Sequence, residues 1–285
     1  MCLNFRCSIV KLFFVSVFSI LYLHQSYSQQ IVKYPELDNL FYDYDIMNID
    51  AESIYLSVKS SARNNAVRLN INETASWNLI LENSGIISSQ YSLVESNEDG
   101  LIERKGTKAL PMSGTVEGVT GSQVSLTFNS DFIYGFIKMG QSTYFIEPLY
   151  HFVKSGQKNK FVMYSINDIK PGEEKVCGYD QYIKEKQKVE LNQPQTGSNR
   201  MPGGCFIVDY AIASDFSMVS FYGNVAGVEN HNIGVLNNVQ TNYDNDFADE
   251  IQFLIVQQWV SNCSTCDPWS SSTNEIGRAS CRERV

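Results

Sequence analysis

The chain has 285 residues, of which 19% are charged, and its formal net charge at pH 7 is −9. This acidic balance argues against nucleic acid or an anionic lipid surface as a partner. The charge places no limit on the fold, which has to be inferred from the order of the predicted elements.

Residues 1–28 have the pattern of a secretory signal peptide. Arg6 and Lys11 supply the positive start, Leu12–Leu23 is apolar, and a small-residue cleavage site ends at Ser28. As a helix, the apolar run would extend about 18 Å, whereas the hydrocarbon core of a bilayer is about 30 Å thick. We therefore expect a secreted, extracellular protein without a stable membrane anchor, and the alternative is that this run is an anchor.

Short alternating runs in the first half of the chain predict antiparallel strands. Val67, Leu69 and Ile71 share one face of such a strand, and Asn97–Gly100 has the composition of a turn. Further along, four strands with short turns predict a meander. These four strands are expected at residues 115–119, 124–128, 132–137 and 144–146.

A polar stretch at residues 184–204 separates the two halves of the chain. Its proline, glycine and charged residues cannot bury much surface, so we expect a linker that is open to proteolysis. Arg200 is a candidate processing site within it. The alternative is an interdomain spacer that is not cleaved.

The second half reads as a strand, a helix and a strand. Cys205–Ala213 is almost continuously apolar, which predicts a strand covered on both faces. Apolar residues at helical spacing between Met218 and Tyr243 predict one long helix, and Glu250–Val260 predicts the second strand. Such an order implies a parallel pair of strands. Without further strands, we expect unpaired edges in this unit.

The cysteines allow more than one use. Outside the signal peptide and the last eleven residues, the chain has Cys177, Cys205, Cys263 and Cys266, which permit three complete pairings. For Cys263 and Cys266 we expect a local disulfide. A redox motif would be expected at a helix start, and a zinc knuckle would need a second ligand pair.

Several short motifs have the order and spacing of a known precursor family. Residues 66–180, and Lys175-Val176-Cys177-Gly178 in particular, resemble the prodomain and cysteine switch of the adamalysin/reprolysin-like zinc metalloproteases, which are metzincins. The other motifs that carry the resemblance are Gly114-x-Val116-x-Gly118, Ser122-x-Val124-x-Leu126, Gly135-x-Ile137 and Tyr144-x-Ile146.

The resemblance implies an α+β fold. An antiparallel β-rich prodomain would occupy residues 29–183, and the N-terminal β-α-β part of the metzincin catalytic domain would occupy residues 205–274. Cys177 would cap the catalytic zinc, and Asp209 would bind a structural calcium. For Asp209 the alternative is a buried aspartate bonded to the backbone or to a tyrosine. For Cys177 the alternative is a disulfide with Cys205.

The function implied by the resemblance is that of a secreted zinc metalloendopeptidase zymogen. Zn²⁺ would be its cofactor in the complete protein and Ca²⁺ a structural ion, with protein or peptide substrates and a separate processing protease. The metzincin signature H-E-x-x-H-x-x-G-x-x-H does not occur in this chain, which has three histidines in total. His151 and His231 are interpreted as ordinary surface or interfacial residues. The chain as printed is therefore not expected to be catalytically competent.

Two alternatives remain open from the sequence. Residues 275–285 resemble a translated frame of a sequencing-library adapter, so we expect the natural sequence to be interrupted near Asn274, unless these residues are a natural basic tail. The second functional hypothesis is a non-enzymatic secreted β-domain protein that acts in adhesion or binding. The coding sequence after Asn274 distinguishes the two functions, because only a protease would continue into a zinc signature.

Overall fold

The computed structural model describes residues 34–60, 65–70, 76–171, 206–248 and 250–269. Within them the fold is β-rich and mostly antiparallel with a few helices, which confirms the α+β class. We call residues 34–171 the N-terminal segment and residues 206–269 the C-terminal segment. The predicted signal peptide, linker and adapter-like tail lie outside the described residues.

The described residues of the N-terminal segment form ten strands, two helices and two 3-10 turns. In chain order these are α1 (Pro35–Leu40), β1 (Asp45–Asn48), α2 (Ala51–Ser60), β2 (Asn65–Asn70), β3 (Ser76–Asn83), β4 (Ile87–Asn97), β5 (Gly100–Lys105), β6 (Leu110–Val116), β7 (Gln123–Asn129), β8 (Phe132–Met139), β9 (Ser142–Pro148), a 3-10 turn (Leu149–His151), β10 (Lys160–Ser165) and a 3-10 turn (Ile166–Asp168). The C-terminal segment consists of β11 (Phe206–Ser214), α3 (Phe216–Tyr222), α4 (Val225–Phe247) and β12 (Ile251–Ser261).

Eight of these strands form one antiparallel sheet, which we call the meander sheet. Its order is β1-β10-β9-β8-β7-β6-β3-β2, and its β6–β9 part confirms the predicted meander. The first of the four strands was predicted at residues 115–119, which is wrong, because β6 ends at Val116 and a turn follows it. On one face, Val124, Leu126 and Phe128 of β7 point into a core that α2 covers. The alternate residues of β7 face α4 on the other side of the sheet.

The remaining four strands form a composite sheet with the order β11-β12-β4-β5. β11 and β12 are parallel, as the sequence predicted, and β4 of the N-terminal segment pairs in parallel with the other side of β12. Val94 lies opposite Trp259 in this pairing. The prediction that β12 would have an unpaired edge is therefore wrong, because a strand from the first half of the chain occupies that edge.

A second hydrophobic core lies between the composite sheet and α4. Tyr91 and Leu93 from β4 contribute to it together with Val228 and Ile233 from α4 and Ile255 from β12, and all five side chains are almost fully buried. The two segments therefore share this core. Neither the composite sheet nor the core beneath it is complete without β4.

β11 differs from its prediction. It is the edge strand of the composite sheet, and Phe206 and Ile207 are 57% and 66% exposed. The predicted strand covered on both faces is wrong because α4 packs on β12 and on the meander sheet rather than on β11. Asp209, in the same strand, is exposed, so the alternative of a buried aspartate is also wrong.

The predicted single long helix is divided in two. Gly223 ends α3 in the left-handed region with φ 86°, and its N–H donates to Val219 O. Asn224 then caps α4, because its side-chain oxygen accepts a hydrogen bond from Gly227 N at 2.8 Å. The apolar spacing continues through this break, so it could not reveal the break by itself.

Candidate functional site

The residues that the sequence singled out do not form one site in the described structure. Cys177 and Arg200 lie outside the described residues. Asp209 is exposed on β11, and a disulfide joins Cys263 to Cys266, whose Cα atoms are 5.4 Å apart. Within the described ranges, no three His, Cys, Asp or Glu side chains are grouped so that they could hold a metal ion. The described residues therefore contain no group of side chains to which a zinc or calcium ion can be assigned.

The contact between the two segments contains a layer of polar side chains. Where α4 crosses the meander sheet, Asn237 Nδ2 donates to Met112 O at 3.0 Å, and Asn129 Nδ2 donates to Asn230 Oδ1 at 3.0 Å. Ser125 and Thr127 of β7 are fully buried, and their hydroxyls have no hydrogen-bond partner among the described residues. This layer is therefore polar, unlike the two apolar cores on either side of it.

At one end of this layer lies a group of six side chains that we call the histidine cluster. The N-terminal segment supplies four of them and the C-terminal segment two. The members are Tyr134, Glu147, His151, Tyr164, Tyr222 and His231. The rings of His151 and His231 are 6.1 Å apart between centroids. Both histidines thus lie at the contact between the segments.

Each histidine has a different polar neighbour. His151 Nδ1 lies 3.5 Å from Glu147 Oε2, which is within ion-pair distance but lacks the geometry of a hydrogen bond. The other oxygen, Oε1, accepts a hydrogen bond from Tyr164 Oη at 2.5 Å. His231 Nε2 is 2.8 Å from Tyr222 Oη, and its Nδ1 is buried without a hydrogen-bond partner among the described residues.

Close packing holds the C-terminal part of the cluster in place. The rings of Tyr222 and His231 stack with centroids 4.2 Å apart, and the ring of Tyr134 meets His231 edge-on at 5.1 Å. One turn further along α4, a Cβ on Gly234 would lie 2.5 Å from Tyr134 Cδ1. Only a glycine at this position lets the helix approach the tyrosine so closely.

The surroundings of the cluster favour the neutral forms of His231 and of its three tyrosines. Burial, together with the nearby His151, lowers the pKa of His231 to about 4. Burial and Glu147 raise the pKa values of Tyr134, Tyr164 and Tyr222 well above their usual range. Two imidazolium ions 6.1 Å apart would repel each other by about 3 kcal/mol at an effective dielectric constant of ~20. A proton taken up by His231 would therefore place a charge in the buried contact between the segments.

A pocket of about 460 Å³ lies elsewhere, between the start of α2 and the turn that joins β7 to β8. The charged groups for which contacts are seen already have partners. Lys158 Nζ lies 2.5 Å from Asp131 Oδ2, and Asp50 accepts hydrogen bonds from the backbone and hydroxyl of Ser53 at the start of α2. We therefore assign no ligand to this pocket.

The sequence reasoning missed the histidine cluster. It treated His151 and His231 separately, and nothing in their local sequences indicates that they meet, because the contact depends on how α4 packs on the meander sheet. The glycine at position 223 was the nearest sequence signal for the cluster, because the helix break there sets the position of Tyr222 relative to α4.

Comparison of the chain with protein-family models finds no match, and comparison with curated protein sequences finds none either. Its function therefore has to be argued from its residues and its geometry.

Proposed function

We propose that this chain is the N-terminal part of a secreted zinc metalloendopeptidase precursor, in which residues 29–183 keep the following segment latent. The observation that carries the proposal is the pairing of β4 with β12. An N-terminal segment that completes the sheet and the core of the segment after it is suited to fold that segment and to hold it until processing. The family resemblance supplies the chemistry.

The contacts of β4 support an N-terminal segment that is held firmly on the C-terminal segment. Ile255 N donates to Ile86 O at 2.7 Å, and Asn262 N donates to Ser96 O at 2.7 Å, so both ends of β4 are fixed to the C-terminal segment. The polar layer beneath α4 is different, because it carries hydroxyl and amide oxygens that have no hydrogen-bond partner within the described part of the chain. Polar contacts of this kind are typical of interfaces that separate.

Cys177 is the residue to which the proposal assigns latency. Zinc, when bound in the complete protein, would supply an activated water for peptide hydrolysis. A thiolate tethered near the metal has an effective concentration that reaches millimolar, so a modest intrinsic affinity is sufficient to keep it in place. Gly178 places no side chain beside it.

The test uses the precursor extended through its natural continuation. We expect Cys177→Ala to raise peptidase activity before the prodomain is removed, and alkylation of Cys177 to require only chelation of zinc. Cys205→Ala is the matched control, because it removes the rival Cys177–Cys205 disulfide and leaves the switch thiol. Equal activation by both substitutions, with Cys177 unreactive until reduced, would refute the switch.

The alternative function, a non-enzymatic secreted binding protein, has one observation in its favour. β11 presents Phe206, Ile207 and Tyr210 at an exposed sheet edge, where an extended partner strand could pair. The coding sequence after Asn274 decides between the two functions. A zinc signature supports the protease, and a stop codon or a repeat array supports the binding protein.

A further inference from the structure

Two histidines from distant parts of the chain meet where α4 crosses the meander sheet, and one of them, His231, has a buried Nδ1 without a hydrogen-bond partner among the described residues. We propose that the histidine cluster is a proton-sensitive contact, which holds α3 and α4 on the meander sheet at neutral pH and releases them on acidification. The proposal goes beyond the protease function and does not depend on it.

The neutral state is well accommodated. Tyr222 Oη and His231 Nε2 share a hydrogen bond of 2.8 Å while their rings stack, and the edge of Tyr134 packs against the same imidazole. A neutral imidazole needs a single donor and a single acceptor, and Tyr222 can satisfy either one. This arrangement joins α3, α4 and β8 at one point.

The protonated form of His231 is not accommodated in the same way. Its Nδ1 would become a buried donor without an acceptor among the described residues, and burying a charge without a partner is costly. Glu147 is the carboxylate in the cluster, but Tyr164 binds one of its oxygens and His151 lies beside the other. If His151 also takes up a proton, the two cations repel each other.

The titratable groups around His231 come from five elements. They are Tyr134 on β8, Glu147 on β9, Tyr150 and His151 in the first 3-10 turn, Tyr164 on β10 and Tyr222 on α3. The four tyrosines remain protonated throughout the acidic range, because burial raises the pKa of each of them. Acidification is therefore expected to act on this contact through His231, whose pKa burial lowers.

Release would be local because the contacts of α4 with its two sheets differ. Towards the meander sheet, α4 meets the buried hydroxyls of Ser125 and Thr127, which lack partners among the described residues. Towards the composite sheet, Val228 and Ile233 pack in the second core. We therefore expect acid to separate α4 from β7 and β8 and to leave β4 paired with β12.

The experiment is hydrogen–deuterium exchange of the full chain between pH 7.5 and pH 4.5, corrected for intrinsic exchange rates. Peptides covering α3, β7 and β8 should lose protection by about tenfold or more, because a proton taken up on opening shifts the opening equilibrium about tenfold per pH unit. Peptides covering β4 and β12 should keep their protection. Unchanged protection in the first group, or equal loss in both groups, overturns the proposal.

His231→Gln is the decisive variant, because glutamine can still bond Tyr222 but cannot take up a proton in this range. It should abolish the pH dependence of exchange. Tyr222→Phe is the control, since it weakens the contact at every pH and keeps His231 titratable. A wild-type pH response in His231→Gln overturns the proposal.

If His231→Gln does not fold, histidine NMR of the wild-type chain replaces it, since three histidines give few signals to assign. One imidazole with a titration midpoint well below 6.5 that coincides with the change in exchange supports the proposal. Midpoints near 6.5 for every imidazole overturn it.

Discussion

At Gly114 and Gly135 a side chain would collide with the backbone of the neighbouring strand in the meander sheet. A Cβ on Gly114 would lie 2.0 Å from Ile80 O, and a Cβ on Gly135 would lie 1.9 Å from Ser125 O. Both glycines belong to the motif that resembles a protease prodomain. Their positions are explained by sheet packing alone, so these glycines support the fold of the N-terminal segment and do not by themselves support its function.

Glu229 leads to a prediction at the scale of a single residue. Its carboxylate accepts a hydrogen bond from Tyr91 Oη at 2.9 Å, and burial raises its pKa above the usual range. Between the ordinary pKa and the raised one, the folded state binds more protons than the unfolded state, so stability falls as pH rises through this window. Glu229→Gln should therefore raise Tm at pH 8 and leave it nearly unchanged at pH 4.

The expected gain in the free energy of unfolding at pH 8 is about 0.5 to 2 kcal/mol, the usual size for a single stabilising substitution. Tyr91→Phe is the matched control, because it removes the donor and leaves Glu229 buried, so it should lower Tm most at high pH. Thermal unfolding followed by circular dichroism at both pH values measures the effect. A gain of the same size at pH 4 would contradict the assignment to the charge.

At the scale of elements, the exposed edge strand β11 is the clearest departure from expectation. Ile207 is 66% exposed, and apolar edge strands promote association between chains. Ile207→Lys should change the free energy of unfolding by less than about 0.5 kcal/mol, as is usual for surface positions, and should reduce aggregation. Light scattering during heating and urea unfolding provide the two measurements.

Ile255→Lys is the contrasting variant, because Ile255 is fully buried in the second core. It should unfold the C-terminal segment. If Ile207→Lys proves equally damaging, then β11 is covered in solution and its exposure here does not describe the free protein.

The order of the elements could be predicted from the sequence, but their pairing could not. The alternation around Val124 and Leu126, with short turns between runs, was sufficient for the meander because neighbours in the chain are neighbours in the sheet. The partner of β4 was not predictable, because its parallel pairing with β12 spans most of the chain and leaves no local pattern. The apolar run of β11 indicated strand propensity, which does not distinguish an edge strand from a covered one.

The same limit explains the candidate site. Cys177 was found from a local motif, whereas His151 and His231 carry no motif and become a cluster only when α4 packs on the meander sheet. The packing of a helix on a distant sheet leaves no local pattern in a single sequence, so this cluster could not be predicted from it.

At the scale of the whole molecule, β4 leads to a prediction about cleavage. A specific protease site inserted between residues 194 and 200 would cut the chain between the two segments. We expect both fragments to elute together in size-exclusion chromatography at neutral pH and to separate in denaturant, because backbone pairing and the second core join them. Separate elution in native buffer would show that the linker, and not β4, keeps the segments together.

Leu93→Ala is the variant that should weaken this association. Leu93 lies in the second core, and such truncations cost about 2 to 5 kcal/mol. Leu79→Ala is the matched control, because Leu79 is equally buried but belongs to the core of the meander sheet. Only the first substitution should make the cut chain dissociate.

The pairing of β4 with β12 also has a consequence for biosynthesis. Ser92 and Gln257, which meet across it, are 165 residues apart, and a ribosome adding about 5 to 20 residues per second needs roughly 10 to 30 s to make that length. During this interval β4 has left the ribosome while its partner strand does not yet exist. Leu93 and Tyr91 are exposed for that time, which makes the nascent first half a substrate for chaperones until translation reaches β12.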